Sequence, residues 1–546
     1  MSDRRRVRDV LERMAFAAAL KGDRNARRYT MASLAIRRAE GDLAALVESG
    51  ALMEQKGIGK GTLSIARDVL AGRTPARLAD LEAGLPAGLF DLRALEGLGA
   101  KKIKTLHETL GVASLAELEY ACRENRLVDL PGFGDKTQRN VLAAIGTLRS
   151  REGKLRRDQA RALAAEAEEA LVSAGAEAVV VAGALRRGAE LVREVVVVVA
   201  GDLQPSAPLP EALRVVRTAP EAFGWAMLEA TGPADFVRAV RARAEAQGLQ
   251  VTEEGLTDAG QLVATFDEAD VFERLGLWAT PPERREVGGP VPRGTPGPRL
   301  VRRSDLEGAL HNHTTASDGT ASLGVMRDAA AARGLRYLGI SEHSEAAHYA
   351  GGLDAARLEA QRAEVASLND EAHRCTLLTG VESDILEDGR LDTADEVLAT
   401  LDCVIASVHR RHGQGREAIT ARMVRAAQHP KTAVIGHPTG RLLLGRAPTD
   451  LDVEALLDAC AASGCAIELN ANPQRLDLSA AHAAMARERG VPVSIAADAH
   501  APDELDHLDH GIAIARRAGL RPEDEAKYGR ELAATEVVSE LTERLR

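Results

Sequence analysis

Seven short apolar runs lie between Gly308 and His500, and six of them end in a side chain able to hold a divalent cation. They are GALHNH (His311, His313), LRYLGISEHS (His343), LLTGVES (Glu382), DCVIASVH (His409), TAVIGHP (His437), AIELNAN and VPVSIAADAH (Asp498, His500), with Asp318 just after the first in TTASDG. One tetrahedral zinc needs only three or four ligands. Nine imidazole and carboxylate candidates are therefore better explained by two or three divalent ions sharing bridging carboxylates. No thiolate joins them, and mixed nitrogen and oxygen donors suit zinc, manganese or iron. Clustered ions lower the pKa of a water and clamp the attacking and leaving oxygens of a phosphate ester, so phosphoester hydrolysis is the expected reaction. His348, His373 and His507 fall outside the pattern and read as ordinary surface or core histidines.

The elements that must position these groups follow from the spacing. Each run is rich in Val, Ile and Leu and is separated from the next by an Ala, Leu, Arg and Glu stretch long enough for a helix. Strands apolar on both faces, alternating with helices, predict a parallel sheet buried on both sides. Repeated at this spacing, the βα units predict a TIM-like barrel distorted to seven strands, (β/α)7, whose carboxyl ends open on one face.

Upstream, three segments share another pattern: an apolar turn, Gly-apolar-Gly, then a Lys-containing helix start. Their residues are Gly57, Gly59 and Lys60; Gly97, Gly99 and Lys101; and Gly132, Gly134 and Lys136. Glycines permit the tight turn and let a phosphate approach the N–H groups of the next helix. Three such segments look like the helix-hairpin-helix module, which grips a DNA backbone without reading sequence. Residues 151–285 read as α/β, and 286–304, rich in Pro, Gly and Arg, as a semi-extended linker.

The net charge of −11 argues at first against nucleic acid, but residues 1–160 hold 29 Lys and Arg against 21 Asp and Glu, and binding depends on local patches. No apolar run is long enough for a membrane span and no secretory segment follows MSDRRRVRDV. Five cysteines without CxxC spacing read as reduced thiols, which implies a cytoplasmic protein. A monomer is assumed.

HNHTTASDG, SEHS, GVESDI, ASVH, GHPTGRLLLGR, ELNANPQRLDL and ADAH resemble the successive motifs of the PHP (polymerase and histidinol phosphatase) phosphoesterase domain. The resemblance implies a trinuclear centre held by His311, His313, Asp318, His343, Glu382, His409, His437, Asp498 and His500. Glu342 stands where an Asp is usual, and Arg410 and Arg411 follow His409 where small residues are commoner. Hairpins, α/β segment and PHP domain in this order resemble the bacterial family X DNA polymerases over the whole chain. The implied organisation is an N-terminal helical domain at 1–85 with the first hairpin, a fingers-like domain at 86–150 with two more, and a palm and thumb-like region at 151–285. The linker at 286–304 and the PHP domain at 305–546 complete it.

The palm departs from the family. The turn Gly-Ser-x-Arg-Arg-Gly is kept as Gly183, Arg186, Arg187 and Gly188, with Ala184 replacing the serine. The paired metal-binding aspartates fall on Glu194 and Val196, and the third near Arg214. Two metal ions need at least two convergent carboxylates, so the polymerase site is expected to be degenerate. The lysine of the family's lyase reaction falls on Ile65, with Lys60 belonging to the hairpin. The expected activity is a manganese-supported 3′–5′ exonuclease of DNA repair acting on gapped DNA or 3′ ends, with Glu382 bridging two ions, His343 essential, and Arg441 and Arg475 clamping phosphate. The alternatives are a gap-filling polymerase using Glu194, Asp202 or Asp235, a small-molecule phosphomonoesterase like the histidinol phosphatases, and a non-catalytic DNA end-binding protein.

Overall fold

The computed structural model describes residues 3–524 except 40–41, 96, 129, 151–152, 202–209, 211, 253–254, 295–296 and 298. The chain divides into two compact units, Met1–Thr147 and Leu148–Arg546, the division falling three residues before the expected boundary at 150.

The first unit is helical and has two cores. Val7, Leu11, Met14, Ile36, Leu52 and Leu63 build one; Leu89, Leu92, Ile103, Leu106, Leu118 and Ile145 build the other. The three hairpin helices are Lys60–Leu70, Ala100–Leu110 and Asp135–Ser150. Each is preceded by a glycine at positive φ, Gly57 at 103°, Gly97 at 84° and Gly132 at 85°, a conformation side-chain-bearing residues resist. Ile58 and Leu98 between the glycines are buried, while Lys60, Lys101 and Lys136 are exposed at the helix starts. Ile65 is buried in its helix and offers no amine.

In the second unit a three-stranded sheet comes first. Ala178–Ala182 pairs antiparallel with Val195–Ala200, which pairs parallel with Leu213–Thr218. Helices Phe223–Thr231, Ala234–Glu245 and Glu268–Arg274 follow, around Trp225, Phe236 and Phe272. Among the described residues of 286–304, three backbone bonds reach neighbouring segments. Trp278 N–H donates to the Val291 carbonyl (2.8 Å), Arg293 N–H to the Gly276 carbonyl (2.9 Å) and Val301 N–H to the Leu520 carbonyl (3.0 Å). Val291 and Arg293 are thus tied to the segment of Gly276 and Trp278, and Val301 to Leu520.

The barrel has seven parallel strands, each beside its successor: Gly308–Ala309, Tyr337–His343, Thr376–Asp384, Cys403–Ser407, Val434–Ile435, Ala466–Asn470 and Val493–Ala496. Beyond the strand ends, His313 N–H donates to the Ala499 carbonyl (2.8 Å) and Asp498 N–H to the His311 carbonyl (3.0 Å). These bonds join first strand to last. Successive strand residues point to opposite faces, and the sequence uses both. Leu338, Ile340, Val381, Val404, Ile467 and Ile495 pack against the surrounding helices. Leu378, Ile405, Val434 and Ala466 form a separate inner cluster with Leu310 and Cys403. Further along the inner face of the third and sixth strands come Glu382, Glu468 and Asn470.

Candidate metal centre

All nine candidate ligands meet at the carboxyl ends of the strands. They fall into four overlapping sets: His313, Asp318, His343 and His500; His311, His313 and Glu382; His311, His437 and Asp498; and His343, Glu382 and His409. Within each set the donor atoms lie within 4.8 Å of one another. Strand register explains part of the convergence, since His343 at the end of the second strand pairs directly with Glu382 on the third. The remaining histidines and Asp498 sit in the loops that leave their strands.

Glu382 is at the centre. Its Oε1 lies 3.4 Å from His311 Nε2, 3.1 Å from His409 Nε2 and 2.9 Å from His437 Nε2. Its Oε2 lies 2.8 Å from His343 Nδ1, a contact not aligned as a hydrogen bond, and 3.9 Å from His313 Nε2. Asp498 Oδ1 is 3.3 Å from His313 Nε2 and 3.6 Å from His311 Nε2, and Asp318 lies 3.4 Å from His343 Nε2 and 3.3 Å from His500 Nε2. His311 Nε2, both ring nitrogens of His313, His437 Nδ1 and Glu382 Oε2 are buried without a hydrogen-bond partner. Leaving such atoms unmet costs about 1–3 kcal/mol each, a cost that coordinated cations would remove. The donor set fits two or three divalent ions.

The electrostatics of the cluster follow from its burial and from its own opposite charges. Burial raises the Glu382 carboxyl, but the His409, His311 and His343 imidazoles outweigh it and hold it well below the usual range. Burial lowers His343, but Asp318 and Glu382 more than reverse this, to about 9. His313 is pushed down to about 3 by burial beside His500 and His343, and His437 to about 3 by burial beside Arg475. An imidazole that resists protonation keeps its lone pair for a metal. His437 and Asp498 hold positive φ, 23° and 51°, a strain of about 1–3 kcal/mol each that aims both side chains inward.

Four supporting residues were not among the expected site residues. His311 Nδ1 meets Glu468 Oε1 at 2.7 Å, and His409 Nδ1 meets Asp384 Oδ1 at 2.7 Å. A carboxylate behind a ligand imidazole holds its Nδ1–H and turns Nε2 toward the metal. Asn470 Nδ2 donates to Asp498 Oδ2 (3.0 Å). Glu342, the departure from the PHP pattern, is buried and accepts from Thr314 N–H (3.1 Å) and Gln361 Nε2 (2.9 Å), so it braces the loop that carries His313 and Asp318. Two of these had a signal. Glu468 lies in AIELNAN, the one run with no ligand of its own, and Asp384 lies two residues past Glu382 on the same strand face.

The two arginines expected to clamp phosphate part ways. Arg475 is buried, with Nε 3.8 Å from Asp498 Oδ2. Arg441 instead reaches out of the barrel: Nη2 pairs with Glu190 Oε1 (2.8 Å) and the Leu476 carbonyl, and Nε donates to the Arg475 carbonyl (3.0 Å). Arg410 lies over the Tyr349 ring and Arg411 pairs with Glu387.

In the palm sheet, the strand register sets Val196 beside Arg214. Val196 is buried among Ala182, Phe223 and Met227, and Arg214 Nε is 3.2 Å from Glu194 Oε2. Gly183 begins the short helix Gly183–Arg186. Arg186 bonds Thr231 Oγ1 (2.8 Å) and Glu268 (2.7 Å), and Arg187 pairs with Glu286 (2.8 Å). Asp235 is exposed and pairs with Arg238; Asp202 lies outside the described residues.

A parallel seven-stranded barrel with a His, Asp and Glu cluster at its carboxyl rim defines a PHP domain, and the PHP family model matches residues 309–472. The models for the DNA polymerase beta thumb and the SAM-like helix-hairpin-helix tandem match 226–286 and 90–147. The DNA polymerase/3′-5′ exonuclease PolX of Bacillus subtilis (strain 168) is 33% identical over 539 residues, 93% of this chain and 94% of that one. A probable phosphatase of Syntrophotalea carbinolica is 27% identical over 224 residues, 39% of this chain and 88% of its own length. The chain belongs to the bacterial family X DNA polymerases that carry a C-terminal PHP domain.

Proposed function

We propose that this chain is a metal-dependent DNA phosphodiesterase, a 3′–5′ exonuclease of DNA repair, with its polymerase core kept as a DNA-binding scaffold. The observation that carries the reading is the gathering of eight other ligand-type side chains around Glu382, against a palm whose corresponding cluster is Glu194, Val196 and Arg214. Divalent ions bound at the rim would lower the pKa of a water and neutralise the phosphate oxygens. Glu382 presents one oxygen to His311, His409 and His437 and the other to His313 and His343, so one carboxylate serves both sides of the centre. Glu468 and Asp384 hold His311 and His409 with Nε2 inward. Arg475, buried with its Nε 3.8 Å from Asp498, would supply positive charge to the substrate's phosphate. The exposed helix starts at Lys60, Lys101 and Lys136 supply sequence-independent grip on the DNA backbone. In the palm, Val196 offers no ligand and Arg214 brings positive charge where a metal would sit, so nucleotide transfer is not expected. The likeness to a probable phosphatase supports a second reading, removal of 3′-phosphates at the same centre.

The test is a 5′-labelled gapped duplex incubated with Mn²⁺ and all four nucleotides, beside His343→Ala and Glu382→Ala. Shortening in the wild type, lost in both variants and without extension, is the expected result. Extension that survives in both variants would overturn the assignment of the palm. Phosphate release from a 3′-phosphorylated end without shortening would favour the second reading, and DNA binding without turnover under any divalent ion would leave an end-binding protein.

A further inference from the structure

We infer that Glu190, a residue of the palm, is a positioning residue for the metal centre of the PHP barrel, acting through Arg441. The inference rests on the phosphoesterase reading above and extends it to a residue outside the barrel.

Arg441 belongs to the segment GHPTGR and follows His437 by four positions. Its guanidinium joins three places: the Glu190 carboxylate, the Arg475 carbonyl and the Leu476 carbonyl. The last two lie on the loop that carries Arg475 to within 3.8 Å of Asp498. Leu476 holds a positive φ of 45°, unfavourable for a side chain branched beyond Cβ, so this loop needs outside support. Beside it the buried Asp477 accepts from Thr439 N–H (2.9 Å) and Oγ1 (2.9 Å), which ties the loop back to the segment of His437 and Arg441. With Arg441 11% and Glu190 25% exposed at the side chain, the pair is screened from water better than an ordinary surface bridge.

Glu190 is itself held firmly. Its carbonyl accepts from Arg157 N–H (3.0 Å). The preceding Gly188, at φ 78°, lies so close to the barrel helix Leu508–Ala518 that a Cβ there would be 3.0 Å from the Ala513 carbonyl oxygen and 3.2 Å from the Arg517 side chain. Arg517 pairs with Glu286 (2.6 Å), which also pairs with Arg187 (2.8 Å). The Arg-Arg-Gly turn of the palm is thus a docking element for the barrel, and Glu190 projects from it onto Arg441. The line of contact runs from Glu190 through Arg441 and the Arg475 loop to Asp498.

The experiment uses the full chain with Glu190→Gln, Glu190→Asp and, as control, Glu283→Gln, which cuts the Arg516–Glu283 ion pair (2.6 Å) elsewhere on the same interface. Three readouts are taken: kcat and KM with Mn²⁺ and bis(p-nitrophenyl) phosphate, Mn²⁺ affinity by titration, and hydrogen exchange of residues 437–446 and 470–478 without metal. Glu190→Gln is expected to lower kcat about tenfold at near-constant KM, weaken Mn²⁺ binding about threefold to tenfold, and speed exchange in both segments. Groups directly behind metal ligands carry effects of about tenfold to a hundredfold, and Glu190, acting from farther out, is expected at the lower end. Glu190→Asp should recover part of each loss, and Glu283→Gln should match the wild type. Unchanged Mn²⁺ affinity and exchange in Glu190→Gln, or equal losses in Glu190→Gln and Glu283→Gln, would overturn the inference. A wild-type protein that binds Mn²⁺ but leaves the diester intact would count against the phosphoesterase reading alone, because affinity and exchange still report on Glu190.

Discussion

The barrel rim and the three-stranded sheet of Ala178–Ala182, Val195–Ala200 and Leu213–Thr218 both bring strand ends together, and they differ in what those strands carry. At the rim, His343 and Glu382 at strand ends and the ligands just beyond them converge, with Glu468, Asp384 and Asn470 bracing three of them. In the palm, the strands keep their register and Val196 still stands beside Arg214, but one position is apolar and the other cationic. Backbone geometry alone does not make a metal site. Val196 packs in a core with Phe223 and Met227, so this position contributes to packing and offers no ligand atom.

The contrast can be broken from either side. The largest expected effect is at the rim: Glu382→Ala should lower phosphodiesterase turnover about a thousandfold or more, several kcal/mol of charge stabilisation, with bound metal falling in the same preparation. Activity at the wild-type level would remove Glu382 from the centre. Glu468→Gln and Asp384→Asn should each weaken metal affinity or turnover about tenfold to a hundredfold, measured by metal titration, and a silent Glu468→Gln would show that His311 needs no brace.

On the palm side, Val196→Asp tests whether packing has replaced chemistry. A carboxylate placed without a partner at a position 2% exposed should lower stability by about 3 kcal/mol, seen as a lower denaturant midpoint. A stable Val196→Asp variant that gains nucleotide incorporation would mean that the site is merely one substitution from working.

A smaller effect concerns acid. Burial raises the Glu268 carboxyl, but Arg285 and Arg186 overcome this and hold it below its ordinary value. Its contribution is therefore complete above the unfolded pKa of about 4.3 and lost as pH falls through the lower folded value. Glu268→Gln should flatten the acid side of the stability profile, and an unchanged slope would assign acid sensitivity elsewhere. Smallest of all, Lys101→Ala should weaken DNA binding uniformly across sequences and reduce the salt slope by about 1, whereas a sequence-dependent loss would contradict a backbone grip.

Much of the barrel was legible because six of its seven strands announce themselves twice, by an apolar run and by the ligand at or just past its end. The hairpins were legible because glycine is strongly favoured at the positive φ found at Gly57, Gly97 and Gly132. What stayed hidden depends on pairings between distant segments. Glu190 and Arg441 are 251 residues apart, and nothing local in GALRRGAE marks its last residue as a partner of the barrel. The stretch 286–304 read as a linker because its Pro and Gly forbid regular elements, yet single bonds from Trp278, Arg293 and Val301 hold it. Composition reports which structures a segment cannot form; it is silent on what the segment leans against.

The seam of the barrel has one more consequence. First and last strands are fastened by the backbone of His311, His313, Asp498 and Ala499, three of which carry ligand-type side chains, so the clasp of the bracelet and the seat of the metals are one object. Cations binding only the closed form would add RT ln(1 + [M]/Kd) to its stability, so chelators should loosen the ring at that clasp before the rest of the barrel gives way.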